Sequence, residues 1–258
     1  MQSHYDDIAD VYDQRYDHRE RGKIYYDHIA SAVLGKIHPK GHLLDIGCGT
    51  GLFLERYLGE GTSRTAAGID ISPGMIKKAQ ERYPDLSYVV GNAELLPFES
   101  DSFDSISSLL AFSYLQNPGR SLMDCNRVLV PGGRLAVCTL GKNIFTSSLP
   151  ALYSIGARMK IRRVGVGSFA EHYYSAKEMY DLLDKAGFID IEIFRCSFAH
   201  FNLAGPLFMI AKKVESFIED NIPYLAYNLI ASGRKPDLYQ ADIVQSTGSH
   251  LFILDFFQ

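Results

Sequence analysis

The chain has 258 residues, 47% hydrophobic and 22% charged, which suits one large α/β domain and is too apolar for a disordered chain. Its formal net charge of -4 provides no whole-molecule field to draw in a phosphate backbone, which counts against a nucleic-acid partner. The opening MQSHYDDIADVYDQRYD is neither basic nor apolar, and runs such as Leu207 to Ala211 are too short to cross a bilayer, so the expectation is a cytoplasmic protein with no integral membrane segment.

Short β-type runs alternate with helical patterns from Gly41 to Leu140, the pattern of a parallel sheet covered by helices on both faces. Strands are expected at His42 to Ile46, Thr65 to Asp70, Leu86 to Val90, Asp104 to Leu110 and Arg134 to Leu140. After the second strand, Ser72 and Pro73 supply a cap and a first helical residue, and Met75, Ile76, Ala79 and Tyr83 recur at helical spacing. Asn117 and Pro118 repeat the device, with Leu122, Cys125 and Leu129 on one face, before Pro131-Gly132-Gly133 turns the chain. Ser175 and Glu178 form a capping box, and Gly187 stops that helix.

Two stretches, 141–170 and 197–222, exceed ordinary connections and carry apolar residues, so each is expected to hold a helix and cover a pocket as a lid. Packing on each other, or a homodimer contact, is the alternative burial. Tyr224 to Gly233 is expected to be the last core strand. The domain then runs over 1–235, with 236–258 an extension packed on the core, because its LFILDFF would aggregate if exposed. Cys48, Cys125, Cys138 and Cys196 are too far apart for a ligand pair, which predicts reduced thiols and no metal.

The chemistry lies in LLDIGCGTG, Leu43 to Gly51. Gly47, Gly49 and Gly51 follow a strand and precede a helix, where missing β-carbons let the backbone turn sharply and approach a ligand. Position 52, where a dinucleotide fingerprint GxGxxG places its last glycine, is Leu52, which disfavours a nicotinamide dehydrogenase. Asp45 lies just before the loop. Asp70 ends the next strand, where a carboxylate can accept both hydroxyls of a ribose.

Here the sequence resembles the class I S-adenosylmethionine (SAM) dependent methyltransferases, particularly the small-molecule branch that includes ubiquinone and menaquinone C-methyltransferases. LLDIGCGTG, GIDISPGMI, GNAELLPFESDSFDSI and NRVLVPGGRL fall in the family's order. The resemblance implies an α/β Rossmann-like sheet of seven mostly parallel strands with an antiparallel last strand, and SAM as cofactor. It implies that Gly47, Gly49 and Gly51 pass along the methionine and ribose, with Asp45 near the amino group and Asp70 on the ribose. Ile71 and Met75 would pack on the adenine, Asn92, Ala93 and Glu94 would edge it, and Leu109 would also contact the cofactor. Tyr12 or Tyr16 would close over it. The acceptor, a small apolar or amphipathic molecule, would meet Ser113, Tyr114, Tyr173, Phe201 and Phe208. His172 is either a general base or a loop histidine beside a helix cap. Many methyltransferases need no base, since aligning nucleophile, methyl and sulfonium supplies much of the rate. Ala111-Phe112-Ser113-Tyr114 is not an NPPY-like tetrapeptide, which disfavours a nucleic-acid or protein acceptor; a lipid acceptor and a non-catalytic SAM-binding protein stay open.

Overall fold

The computed structural model describes residues 12–38, 40–59, 64–142 and 171–237. The expected first lid beyond residue 142 and the C-terminal extension beyond residue 237 lie outside them. A π-helical turn, Gln14–His18, leads into α1 (Glu20–Leu34). Next come β1 (Gly41–Ile46), α2 (Leu52–Gly59), β2 (Arg64–Asp70), α3 (Pro73–Arg82), β3 (Ser87–Val90) and β4 (Phe103–Leu109). They are followed by α4 (Pro118–Val128), β5 (Leu129–Leu140), α5 (Ala176–Lys185), β6 (Ile189–Cys196), α6 (Gly205–Asn221) and β7 (Asn228–Arg234).

These strands form one sheet in the order β3-β2-β1-β4-β5-β7-β6. The pairings from β3 across to β5 are parallel, and β7 runs antiparallel to both β5 and β6. Strands β1 and β2 are buried on both faces over their central residues, which is why they read as continuous apolar runs rather than alternating ones. One face of the sheet packs Tyr25, Tyr26 and Ile29 of α1 and Leu52 to Leu54 of α2 against Leu43, Leu109 and Cys138. The other packs Leu122 and Cys125 of α4 and Met179 and Leu183 of α5 against Leu44, Ile106 and Val137. Each such buried aliphatic contributes about 1.5–3 kcal/mol.

The helix starts read from sequence have the expected contacts. Ser72 Oγ accepts from Met75 N at 3.1 Å, Asn117 Oδ1 accepts from Arg120 N at 3.1 Å, and Ser175 and Glu178 cap each other reciprocally. Differences appear where strands meet turns. Strand β5 begins at Leu129: the pairing steps from Phe103↔Leu129 to Ser105↔Arg134, so Pro131-Gly132-Gly133 is looped out as a bulge inside the strand, with Gly132 at φ +79°, a conformation glycine tolerates. Strand β6 was not expected as a strand; its residues alternate between half-buried and exposed over most of its length and lack an apolar run. The last strand starts at Asn228 rather than Tyr224, because Pro223 opens a 3-10 turn through Leu225.

The second long stretch does hold a helix, α6, whose Phe208 and Ala211 pack with Ala199 and against Ile24 of α1. Glu219 of α6 accepts from Ser197 N at 2.6 Å and pairs with His28 at 2.9 Å, fixing α6 to β6 and to α1. All four cysteines are buried and unpaired. Among the described residues no helix is long and apolar enough to cross a membrane.

Candidate cofactor and acceptor site

The chain leaves β1 with β2 on one side and β4 on the other, so a crevice opens at the carboxyl ends of these strands, where open α/β sheets bind ligands. The loop after β1 fills its floor. Gly47 and Cys48 both donate to Ile69 O, at 2.8 and 3.1 Å, which folds the loop back onto β2. Gly47 has φ +68°, and a β-carbon there would lie 2.2 Å from Ala111 Cβ; only glycine satisfies both the conformation and the close approach. Gly49 has φ +53° and would meet only the Tyr12 ring, at 3.9 Å.

Two carboxylates flank this loop. Asp70 Oδ2 accepts from Gly49 N and Oδ1 from Ser72 N, both at 2.9 Å, so the acid that ends β2 ties the loops after β1 and β2 together. Asp45 is 2% exposed, and its Oδ1 accepts from Ser107 Oγ at 2.7 Å. Burial pushes its carboxyl up to about 7, with the Asp70 charge pushing the same way and the Ser107 hydrogen bond opposing. A charge held at that cost is one a cationic ligand group would relieve.

The N-terminal segment is clamped over the loop. Arg82, at the end of α3, reaches Asp13 Oδ2 at 2.5 Å and Glu55 Oε2 at 2.7 Å, and Thr50 Oγ1 hydrogen-bonds Asp13 Oδ1. That anchor places Tyr12 beside Gly49, and the Tyr12 and Tyr16 rings lie 5.1 Å apart. Of the two tyrosines expected to close over the cofactor, Tyr12 is therefore at the loop, and Tyr16 packs behind it against Tyr26 and Phe201.

On the far side of Asp70, Ile71 and Val90 are apolar yet 36% and 49% exposed at the adjacent ends of β2 and β3, a surface suited to a flat apolar ring. Met75 is buried instead, 2% exposed. Asn92 Oδ1 accepts from Glu94 N at 2.9 Å, Ala93 O from Ser121 Oγ at 2.8 Å, and Glu94 Oε1 from Gln116 N and Asn117 N at 2.7 and 3.0 Å. These three thus build the turn and fasten it to α4 before any ligand contact.

Beyond Leu109, buried at the end of β4, the residues expected at the acceptor separate. The Tyr114 and Tyr173 hydroxyls converge on one carboxylate, donating to Glu171 Oε1 at 3.0 Å and Oε2 at 3.1 Å. Tyr16 is near the same group: burial raises its phenol above the ordinary value, the Glu171 charge raises it further, and the Arg15 charge and hydrogen bond oppose both. Phe201 packs edge-on to Tyr16 at 5.5 Å and against Tyr25 at 5.1 Å.

Three expected residues point elsewhere. The Ser113 hydroxyl is buried and occupied, pairing with Thr139 Oγ1 at 2.7 Å and accepting from Leu140 N at 3.0 Å, so it staples the turn after β4 to β5. Phe208 is fully buried under α6 because it lies on that helix's core-facing side. His172 is exposed, its ring 4.3 Å from that of Tyr174 and its backbone donating to Ser113 O at 2.9 Å. The histidine that enters the aromatic cluster is His200, 4.4 Å from Phe201 and 5.4 Å from Tyr25, where burial lowers it to about 4, with Arg15 acting in the same sense. Sequence reasoning did not single out Glu171, Arg15, His200, Asp13 or Arg82. Only Glu171 left a signal, as the acid directly before His172 in EHYYS.

Residues 44–137 match the family model of a methyltransferase domain. The demethylmenaquinone methyltransferase of Renibacterium salmoninarum is 31% identical over 142 residues, 55% of this chain and 59% of that protein. The malonyl-[acyl-carrier protein] O-methyltransferase of Methylococcus capsulatus is 36% identical over 107 residues, 40% of this chain and 39% of that protein. The chain thus spans three-fifths or less of the length of these two relatives. Among solved structures, a SAM-dependent methyltransferase of Thermotoga maritima, described as a possible histamine N-methyltransferase, matches with a TM-score of 0.66 at 20% identity, covering 91% of this chain and all of that one. That likeness bears on the fold alone.

Proposed function

We propose that this chain, whose residues 44–137 match the family model of a methyltransferase domain and whose seven-stranded fold is like that of a solved SAM-dependent methyltransferase, binds SAM and transfers its methyl group to a small amphipathic acceptor. The observation that carries the reading is the pair of carboxylates around the glycine loop. Asp70 is held at the loop by two backbone N–H groups, and Asp45 is buried beneath it at the expense of its own ionisation. A ligand with a diol at one position and an ammonium at the other suits both, and Ile71 with Val90 offers an apolar surface for its ring.

When bound, SAM supplies a methyl group on a sulfonium, a good leaving group. Asp70 accepts the ribose hydroxyls and orients the ligand along the loop. Asp45 compensates the ammonium charge, and both gain as the ligand covers them. The segment carrying Tyr12 and Tyr16, anchored through Asp13 and Arg82, excludes water from the sulfonium end and strengthens these interactions. The acceptor side is walled by Tyr16, Tyr114, Tyr173 and Phe201, so 197–204 contributes to its cover, and the reaction relies chiefly on alignment.

Calorimetric titration tests the reading. SAM and S-adenosylhomocysteine should each bind one site per chain, and NAD should not. Binding of NAD, or of neither SAM nor its demethylated product, would reject it.

A further inference from the structure

We propose that Glu171, with Tyr114 and Tyr173, is the acceptor-recognition subsite, and that it selects acceptors whose reacting group carries an O–H or N–H over those presenting a carboxylate or bare carbon. This rests on the methyltransferase reading of the same crevice. Tyr114 sits in the turn after β4, three residues past Ala111, which touches Gly47 of the loop, and Tyr16, packed on Tyr12 beside that loop, lies close enough to feel the Glu171 charge. The carboxylate is thus at the acceptor end of the crevice. Each of its oxygens accepts one phenol hydrogen, which fixes the carboxylate in place and leaves a second lone-pair site on each oxygen. The Tyr114 and Tyr173 rings on it, with the packed Tyr16 and Phe201 rings on the loop's side, would enclose an aromatic or aliphatic body.

An acceptor O–H or N–H can complete that carboxylate's hydrogen bonds, while an acceptor carboxylate would bring a like charge against it. A bare apolar group would displace water from the carboxylate while leaving its remaining lone-pair sites unfilled. The selection is therefore by rejection as much as by attraction. A malonyl carboxylate, the group named in the malonyl-[acyl-carrier protein] O-methyltransferase of Methylococcus capsulatus, falls on the rejected side.

The test measures binding of four probes of matched shape, benzylamine, benzyl alcohol, benzoate and toluene, to the full chain with and without S-adenosylhomocysteine. Wild type should bind benzylamine or benzyl alcohol roughly ten- to a hundredfold more tightly than benzoate or toluene, the range for a hydrogen bond to a charged group. Glu171→Gln should remove most of that preference and admit benzoate, and Tyr114→Phe should weaken it. Both variants should bind S-adenosylhomocysteine as wild type does, which also reports that they are folded. Benzoate or toluene binding as well as the donors, an undiminished preference in Glu171→Gln, or no saturable binding of any probe would each overturn the proposal. Failure of S-adenosylhomocysteine to bind wild type would reject the methyltransferase reading instead.

Discussion

Asp45→Asn should act in opposite directions on stability and on cofactor affinity. The carboxyl rises from 3.8 to about 7 on folding, chiefly by burial, so the native state holds the proton more tightly than the unfolded chain. Wild-type stability is therefore fully present below about pH 4, falls as pH rises toward 7, and stays low above it. At 1.36 kcal/mol per unit, a rise of about three units costs the wild type on the order of 4 kcal/mol at pH 8, against on the order of 2 kcal/mol at pH 5.5. The amide keeps an acceptor for Ser107 Oγ and does not titrate. Its unpaired N–H groups cost something at every pH, so the diagnostic is the slope. Relative to wild type, the variant should gain on the order of 2 kcal/mol between pH 5.5 and 8, read by urea unfolding of the ligand-free protein. Its SAM affinity at pH 8 should fall about ten- to a hundredfold, the range for a hydrogen bond to a charged group. Parallel stability profiles for the two proteins, or unchanged SAM affinity, would refute the reasoning.

Asp70→Ala removes the acceptor for both Gly49 N and Ser72 N and should weaken SAM binding by roughly 1–3 kcal/mol, measured by calorimetry. Gly47→Ala places a methyl against Ala111 at positive φ; thermal unfolding should show a loss of about 1–3 kcal/mol, with SAM binding lost alongside. Arg82→Ala leaves Asp13 held through Thr50 alone, loosens the segment that carries Tyr12, and should weaken SAM binding, read by calorimetry, more than it lowers the unfolding midpoint. Phe208→Ala should cost about 3–5 kcal/mol of stability because the ring is fully buried. Phe201→Ala, nearer Tyr16, should instead impair methyl transfer more than SAM binding.

The half of the crevice proposed for the cofactor was legible because its chemistry is local in the chain. A glycine loop between a strand and a helix and an acid at the next strand's end are set by spacing alone, and the structure joins them through the Gly49 to Asp70 hydrogen bond. The caps at Ser72, Asn117 and Ser175 were legible for the same reason. The acceptor half was not. Glu171 meets Tyr114 across 57 residues and Arg82 meets Asp13 across 69, and no periodicity encodes such pairings. Ser113 and Phe208 were apt residue types for a pocket, but tertiary packing turned them to other tasks. Strand β6 escaped notice although Ile189, Ile191 and Ile193 alternate with Asp190 and Glu192, because that run is short and starts straight after the helix stop at Gly187, and the Pro131 to Gly133 bulge because a turn signal does not reveal that pairing resumes around it.

A crystal structure with S-adenosylhomocysteine tests the central claim most directly. Both ribose hydroxyls should lie on Asp70, the ammonium within reach of Asp45, the adenine against Ile71 and Val90, and the sulfur toward the Tyr16 and Glu171 side of the crevice. A ligand whose ribose makes no contact with Asp70, or whose sulfur faces away from Glu171, would contradict it.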